Sequence, residues 1–405
     1  IHDLKPQGMV HARVLRMPSP KAELLSTWQE LQAALDPKVR CVVLGNFVGV
    51  IAEQEWRAQQ ALDKLSTMAR WNEPASLPDQ HRLEDFLRNA RNETLATAQK
   101  GEAGPIGTDT TLSSTYFKPY LAHASIGLCC ALAHFDGRQL EVWTHSQGIH
   151  NLRDDMVRAL SAGPHPLKKE QITIHHAEGA GCYGHNGADD VAFDAALLAL
   201  EQPGSVIRVL WTREQELANA PLASAHLVEL KARLSNDGRI DRWSHELWSN
   251  GYSSRPGRAG TSVLLAAPHL PYGQPAPIAI NPPLAAGGGG DRNAVPGYAF
   301  ENFNITNHRL LDMPLRTSAM RGWPARSSRI ATRQPRPRPS TSCTIAGDCP
   351  SPNSRSAAPP GRKSRGSSAT RRRINSRPSL PPSSARRGSA AMETRERLRW
   401  VSLSG

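Results

Sequence analysis

The chain has 405 residues, a length typical of two or three domains, with 39% hydrophobic residues and a formal net charge of +13. Residues 323–405 hold 17 Arg, one Lys and three acidic residues, whereas residues 1–322 hold 31 basic and 33 acidic residues. Residues 1–322 are therefore nearly neutral, and their charge indicates neither a nucleic-acid nor a membrane partner. The six cysteines form no CxxC pair and predict no zinc or iron–sulfur site, and no run of about 20 apolar residues is present to span a membrane.

Residues 1–72 predict a small α+β unit, because short apolar runs alternate there with helical spacing. The pair Gly45-Asn46 lies between two such runs and is typical of a hairpin. On the second helix, Trp56 and Leu65 fall on the apolar face. The predicted elements are strands over 9–15, 39–43 and 47–52 and helices over 22–35 and 53–70. Residues 73–112 are polar and predict a linker with one short helix.

Residues 113–322 return to a globular composition in which strands and helices alternate, and this favours a mixed α/β architecture. The turn at Asn236-Asp237-Gly238 predicts a second hairpin. Residues 251–300 are rich in Gly and Pro and predict irregular structure. The predicted elements are strands over 140–144, 171–176, 206–211, 225–234, 240–248 and 303–311 and helices over 151–160 and 189–200.

The segment 323–405 has no Phe or Tyr and is dense in Arg, Ser and Pro. Ordering a residue costs about 1–2 kcal/mol, and this composition offers too little apolar surface to offset that cost. We therefore expect a disordered basic tail. Such a tail would bind nucleic acid non-specifically through phosphate neutralisation, which is a consequence of its composition.

A glycine-rich segment follows the predicted strand 171–176 and opens the helix 189–200. Glycines at such a corner let backbone N–H groups approach an anionic ligand, and the helix N-terminus adds a favourable dipole. On spacing alone, a tight structural turn is favoured over a ligand site. The residues that would bind a ligand are Gly179, Ala180, Gly181, Cys182, Tyr183 and Gly184.

Three blocks in this order resemble the molybdopterin-binding subunits of the xanthine dehydrogenase and aldehyde oxidase family. They are residues 120–124, residues 140–148 and the glycine-rich corner. The resemblance implies that Gln147 lies beside the molybdenum and takes part in catalysis, and that the corner approaches the metal and the pterin. The family's first block contains a Glu that is missing from residues 123–127 of this sequence.

The resemblance extends from residue 1 to residue 322. It implies an α/β-hammerhead domain over 1–72, a linker over 73–112 and part of the molybdopterin-binding domain over 113–322. Residues 313–322 resemble a segment that contacts the pterin, and the planar guanidinium groups of Arg316 and Arg321 suit an anionic cofactor. The implied cofactor is molybdopterin, in its cytosine dinucleotide form, with Mo. The implied partners are a small two-iron two-sulfur subunit, a c-type cytochrome and a small-molecule substrate.

The activity that the resemblance implies is oxidative hydroxylation of an aldehyde or an N-heteroaromatic compound, with water as the source of oxygen. The family's catalytic Glu, which acts as general base, has no match in this sequence. We expect a frameshift near residue 322, since high-GC codons read out of frame give Arg, Pro, Ser, Ala and Gly. An inactive product poor in molybdenum is therefore an alternative, and a nucleic-acid-binding module is a weaker one. Because the first residue is Ile1, the N-terminus is expected to be incomplete, and the compartment stays open.

Overall fold

The computed structural model describes residues 1–320 apart from 102–105, 107–110, 258 and 287. Arg321 and the expected tail 323–405 lie outside this part. The strands are β1 (Met9–Leu15), β2 (Glu23–Leu24), β3 (Arg40–Leu44), β4 (Phe47–Ala52), β5 (Trp71–Asn72), β6 (Asn92–Lys100), β7 (Thr111–Lys118), β8 (Cys130–Phe135), β9 (Leu140–Thr144), β10 (Ile172–His176), β11 (Val206–Leu210), β12 (His226–Leu234), β13 (Ile240–Asn250) and β14 (Asn302–Leu310). The helices are α1 (Trp28–Ala33), α2 (Glu55–Met68), α3 (Leu83–Asn89), α4 (Ile149–Leu160), α5 (Ala188–Glu201) and α6 (Arg213–Asn219).

A seven-stranded mixed sheet forms the centre of the fold, in the order β10-β9-β8-β11-β1-β4-β3. β1 pairs in parallel with β11, so the first segment of the chain and the segment around residue 206 share one sheet. Three strands of residues 1–72, namely β1, β3 and β4, therefore continue the sheet that β8 to β11 begin, while β2 and β5 form a separate two-stranded sheet.

Helix α5 packs on this sheet and is buried along nearly its whole length, from Ala188 to Leu200. Apart from Asp194, its residues from Val191 to Leu200 are apolar on every side, which is the pattern of a helix enclosed in a core. Leu197 and Leu198 belong to the largest hydrophobic cluster, together with Phe193 and Trp211. The helix thus fixes the position of the loop that precedes it.

Helix α2 buries the face predicted for it only in part. Ala58, Ala61, Leu62 and Leu65 are buried, as helical spacing requires. Trp56 is instead 52% exposed, and its ring lies under the guanidinium of Arg57. Trp56 was predicted to lie on the apolar face of this helix, but it does not share the burial of that face.

The first predicted helix is shorter than expected, since α1 covers only Trp28–Ala33. Thr27 accepts a hydrogen bond from the backbone of Glu30, whose side chain accepts one from the backbone of Thr27. This capping box starts the helix at Trp28, six residues later than the hydrophobic spacing indicates.

A second sheet has five strands in the order β6-β14-β13-β12-β7. Its hairpin β12–β13 confirms the predicted turn, in which Gly238 takes a φ of +78°. Strand β6 lies within the segment expected to be a linker, so that segment contributes a strand as well as the short helix α3.

The mixed α/β architecture with several sheets confirms the predicted class. The hammerhead assignment and the domain boundaries stay predictions. Within the described part of residues 1–320, no helix is long and apolar enough to cross a membrane.

Candidate functional site

Two loops leave the same edge of the seven-stranded sheet. β9 and β10 pair in parallel, with Thr144 opposite His176 at their last rung. The backbone N–H of Ala177 donates to the carbonyl of Thr144 at 2.9 Å. Parallel neighbours end at one edge, so the loop that carries Gln147 begins beside the loop that carries residues 179–184. The sequence blocks expected to share a site are therefore neighbours in space.

The glycine-rich corner contains three residues with positive φ. Gly181 has a φ of +95° and Gly184 a φ of +134°. Tyr183 takes a φ of +31°, a left-handed conformation that a non-glycine residue rarely adopts and that concentrates at functional sites. Among the residues that the structure describes, no acceptor binds the backbone N–H groups of Cys182, Tyr183 and Gly184.

The block 123–127 packs against this corner. The backbone N–H of Gly127 donates to the carbonyl of Ala180 at 2.8 Å, and the ring Nε2 of His123 lies 2.8 Å from the carbonyl of Ala319. Ala124 has a φ of +46°, so the second non-glycine residue with positive φ in the described part of the chain also lies here. Backbone conformations of this kind cost free energy and persist where the surrounding packing holds them.

Ala319 and Met320 close the corner on another side. The N–H of His185 donates to the carbonyl of Ala319 at 2.8 Å. A Cβ on Gly184 would collide with that carbonyl oxygen and would lie 2.7 Å from Cα of Met320. Only glycine lets the two backbones approach this closely.

A buried chain of hydrogen bonds ties the three segments together. The hydroxyl of Ser146 accepts from the N–H of Gly148 at 3.1 Å and donates to the carboxylate of Asp189. The other oxygen of Asp189 lies 2.6 Å from Nε2 of His185, whose Nδ1 lies 2.7 Å from the hydroxyl of Ser318. The bonds of Ser146 hold residues 146 and 148, which flank Gln147, against the first turn of α5.

The protonation states of the buried acid and histidines in this region follow from burial and hydrogen bonding. Burial by itself would raise the pKa of Asp189, but the hydrogen bonds from His185 and Ser146 outweigh it and hold the pKa below the ordinary 3.8. Burial also lowers the pKa of His123 and takes the pKa of His145 to about 4. Asp189 is therefore charged near pH 7, whereas His123 and His145 are neutral.

Gln147 itself is exposed at the mouth of the site, and its side-chain oxygen accepts a hydrogen bond from the guanidinium of Arg255. Arg255 follows β13, in a segment that sequence reasoning described only as irregular. A stretch rich in Gly and Pro has no hydrophobic periodicity from which the direction of a side chain could be predicted. The contact of Arg255 with Gln147 was therefore not predicted from the sequence.

Arg316 does not face an open site. Its guanidinium donates to both oxygens of Asp190, at 3.0 and 2.9 Å, and also to the carbonyls of Val263 and Asn219. In this structure a buried carboxylate engages the planar fork of Arg316, and the contact with an anionic cofactor stays a prediction. Arg321, the other predicted arginine, lies outside the described residues.

The remaining acids on α5 are also paired. Asp194 is fully buried and accepts from Arg16 and from the indole N–H of Trp211. Within the part of the chain that the structure describes, no three His, Cys, Asp or Glu side chains are grouped to hold a metal ion.

Part of this chain matches a known domain family. Residues 87–276 match the molybdopterin cofactor-binding domain. A nicotinate dehydrogenase subunit of Pseudomonas putida is 32% identical over 335 residues, which are 80% of this chain and 26% of that protein. The aldehyde oxidoreductase molybdenum-binding subunit PaoC of Escherichia coli is 27% identical over 140 residues, which are 34% of this chain and 18% of that protein. The chain thus spans about a quarter or less of these curated relatives.

Two solved structures share the fold. Quinoline 2-oxidoreductase from Pseudomonas putida 86 has a TM-score of 0.55 at 17% identity, over 79% of this chain and 43% of that chain. Aldehyde oxidoreductase from Desulfovibrio gigas has a TM-score of 0.54 at 15% identity, over 81% of this chain and 38% of that chain.

Proposed function

Because this chain belongs to the xanthine dehydrogenase and aldehyde oxidase family of molybdopterin-binding subunits, we propose that it forms part of a molybdopterin site. The reaction there would be oxidative hydroxylation of a small aldehyde or N-heteroaromatic substrate with water. One observation carries the proposal: the loop of Gln147 and the corner 179–184 leave adjacent parallel strands from their last paired residues. The curated relatives, named for nicotinate and for aldehydes, support the same class of substrate.

The residues present fit an anionic pterin. The N–H groups of residues 182–184 have no acceptor among the described residues, and successive N–H groups in such a turn form a concave site for an anion. Gln147 presents an exposed amide at the same edge. When bound, the cofactor would supply a metal that accepts two electrons.

The residues of this chain would bind and orient the cofactor and the substrate. Ser146 and Asp189 fix the turn that carries Gln147, and the corner includes Tyr183 in a left-handed conformation. Buried His123 and His145 stay neutral near pH 7, so they add no positive charge to the site. The general base that the resemblance implies has no counterpart in this sequence, so we assign no proton transfer to these residues.

We also propose the cofactor form and the partners that the resemblance implies. The cofactor would be the cytosine dinucleotide form of molybdopterin. Electrons would leave through a small two-iron two-sulfur subunit, and a c-type cytochrome would be a further acceptor. Cysteine sets for such a cluster are missing from this sequence, which is why a separate subunit is required in the proposal.

Amide hydrogen exchange of the 405-residue chain tests the site without requiring turnover. Excess molybdopterin should slow exchange over residues 145–148 and 179–185. The turn at 136–139, at the opposite end of β9, should not change. Gln147→Ala should weaken the protection, whereas Gln139→Ala in that remote turn should leave it intact. Protection that is absent, or equal at both ends of β9, would refute the proposed site.

A further inference from the structure

His185 contacts separate segments of the site from one buried position. The residue is 4% exposed, and its Nε2 lies 2.6 Å from the carboxylate of Asp189. Its Nδ1 lies 2.7 Å from the hydroxyl of Ser318, which is fully buried. Its backbone N–H donates to the carbonyl of Ala319 at 2.8 Å. His185 therefore links the segment 317–320 to the first turn of α5.

The side-chain bonds of His185 continue to the far side of the site. Because an ionised carboxylate only accepts, Nε2 of His185 carries a hydrogen and donates it to Asp189. The same carboxylate accepts from the hydroxyl of Ser146, which in turn accepts from the N–H of Gly148. The hydrogen-bond chain thus runs without a break from Ser318 to Gly148. Neighbouring bonds in such a chain polarise one another, so the loss of one bond weakens the next.

The segment 317–320 reaches the turn 146–148 by this buried chain and by one exposed route. Among the described residues, no hydrogen bond joins the segment directly to the turn. The exposed route leads from the carbonyl of Thr317 through the N–H of Ser254 to Arg255, which contacts the turn at the surface. Hydrogen bonds are stronger in the low dielectric of the interior than at an exposed contact, so the buried chain should dominate.

We propose that His185 is a positioning residue that couples the segment 317–320 and the glycine-rich corner to the turn that carries Gln147. A ligand that orders one side of the site then favours the bound arrangement of the other side, which is positive coupling. The part that Gln147 plays in ligand binding rests on the function proposed above. The coupling itself rests only on the buried hydrogen bonds and needs no ligand.

Amide hydrogen exchange of Gly148 in the ligand-free 405-residue chain tests the coupling, because this amide bonds to Ser146 and its exchange reports local opening. Ser318→Ala removes the far end of the hydrogen-bond chain and should accelerate this exchange at least about threefold. His185→Phe removes both ring bonds and should accelerate it at least about tenfold. His185→Gln keeps an amide donor for Asp189 and should restore most of the protection.

Thr317→Val is the matched control. Thr317 precedes Ser318 and is equally buried, but its hydroxyl donates to the carbonyl of Gly251 at 2.8 Å, outside the hydrogen-bond chain. This variant should leave the exchange of Gly148 within about twofold of the wild type. NMR of the His185 ring adds a signature that packing alone would not move: Ser318→Ala should shift the Nε2–H resonance, whereas Thr317→Val should not.

Exchange of Gly148 that is unchanged in Ser318→Ala and His185→Phe would overturn the coupling. Equal acceleration in Thr317→Val and Ser318→Ala would overturn it too, since the effect would then belong to packing of the segment. The same holds if His185→Gln protects no better than His185→Phe.

Excess molybdopterin separates this proposal from the proposed function. In Ser318→Ala it should protect residues 145–148 less than in the wild type and residues 179–184 equally well. Full protection of both segments in Ser318→Ala would overturn the positioning role. A wild-type chain that molybdopterin protects in neither segment would refute the proposed function, while the coupling measured without ligand would stand.

Discussion

The buried carboxylate of Asp189 gives the sharpest test of how the site is held together. Asp189→Asn keeps the shape of the side chain and removes its charge. Asp189 is 6% exposed and binds Ser146 and His185. Hydrogen bonds to charged groups contribute about 1.5–3 kcal/mol each, and the Asn amide can retain one of the two by reorienting. We therefore expect the free energy of unfolding to fall by about 2 kcal/mol.

Urea titrations followed by circular dichroism measure this loss. Asp63→Asn is the control, because Asp63 is exposed on α2 and should change stability by less than about 0.5 kcal/mol. The pKa of Asp189 is lowered in the fold, so its contribution is full above pH 3.8 and is lost as the pH falls through the folded pKa. The gap between the wild type and Asp189→Asn should accordingly narrow below pH 3.8.

A double-mutant cycle with Ser146→Ala tests the hydrogen-bond chain itself. If Ser146 and Asp189 act through one bond, the double variant should lose at least about 0.5 kcal/mol less than the two single losses added together. Losses that simply add, or an Asp189→Asn variant as stable as Asp63→Asn, would show that the chain does not hold the Gln147 turn.

Three further predictions concern the same fold. Burial takes the pKa of His145 and of His245 from 6.5 to about 4. The free energy of unfolding should therefore be greatest above pH 6.5 and should fall toward pH 4, by up to about 1.4 kcal/mol per pH unit for each histidine. Urea titrations that give the same free energy at pH 7 and pH 5 would contradict this prediction. Gly184→Ala should cost about 2 kcal/mol or more, because its Cβ would meet the carbonyl of Ala319. Thermal melts of both variants measure this cost. Gly137 has a φ of +96° and nothing within 4 Å of an added Cβ, so Gly137→Ala gives the cost of the positive φ without the collision. Iodoacetamide should label Cys182 before the other described cysteines, which are all buried, and peptide mass spectrometry would detect the reverse order.

The sequence by itself determined those features that depend on local spacing. Alternation placed β9 and β10, and the glycines at 179–184 marked a corner where the backbone must take positive φ. The resemblance of the motifs, in their order, to a known family implied that these two loops share a site. The mixed α/β class followed from the same periodicities.

Only the tertiary structure decided which side chains meet. Arg316 was predicted to face a ligand, but its partner Asp190 lies 126 residues away in sequence. Arg255 lies in a stretch without a period, yet it reaches Gln147 across 108 residues. Three strands of residues 1–72 complete the central sheet instead of forming a separate one. Local patterns specify the direction of a backbone and which of its faces is apolar, whereas the partner of a charged side chain depends on where distant segments pack.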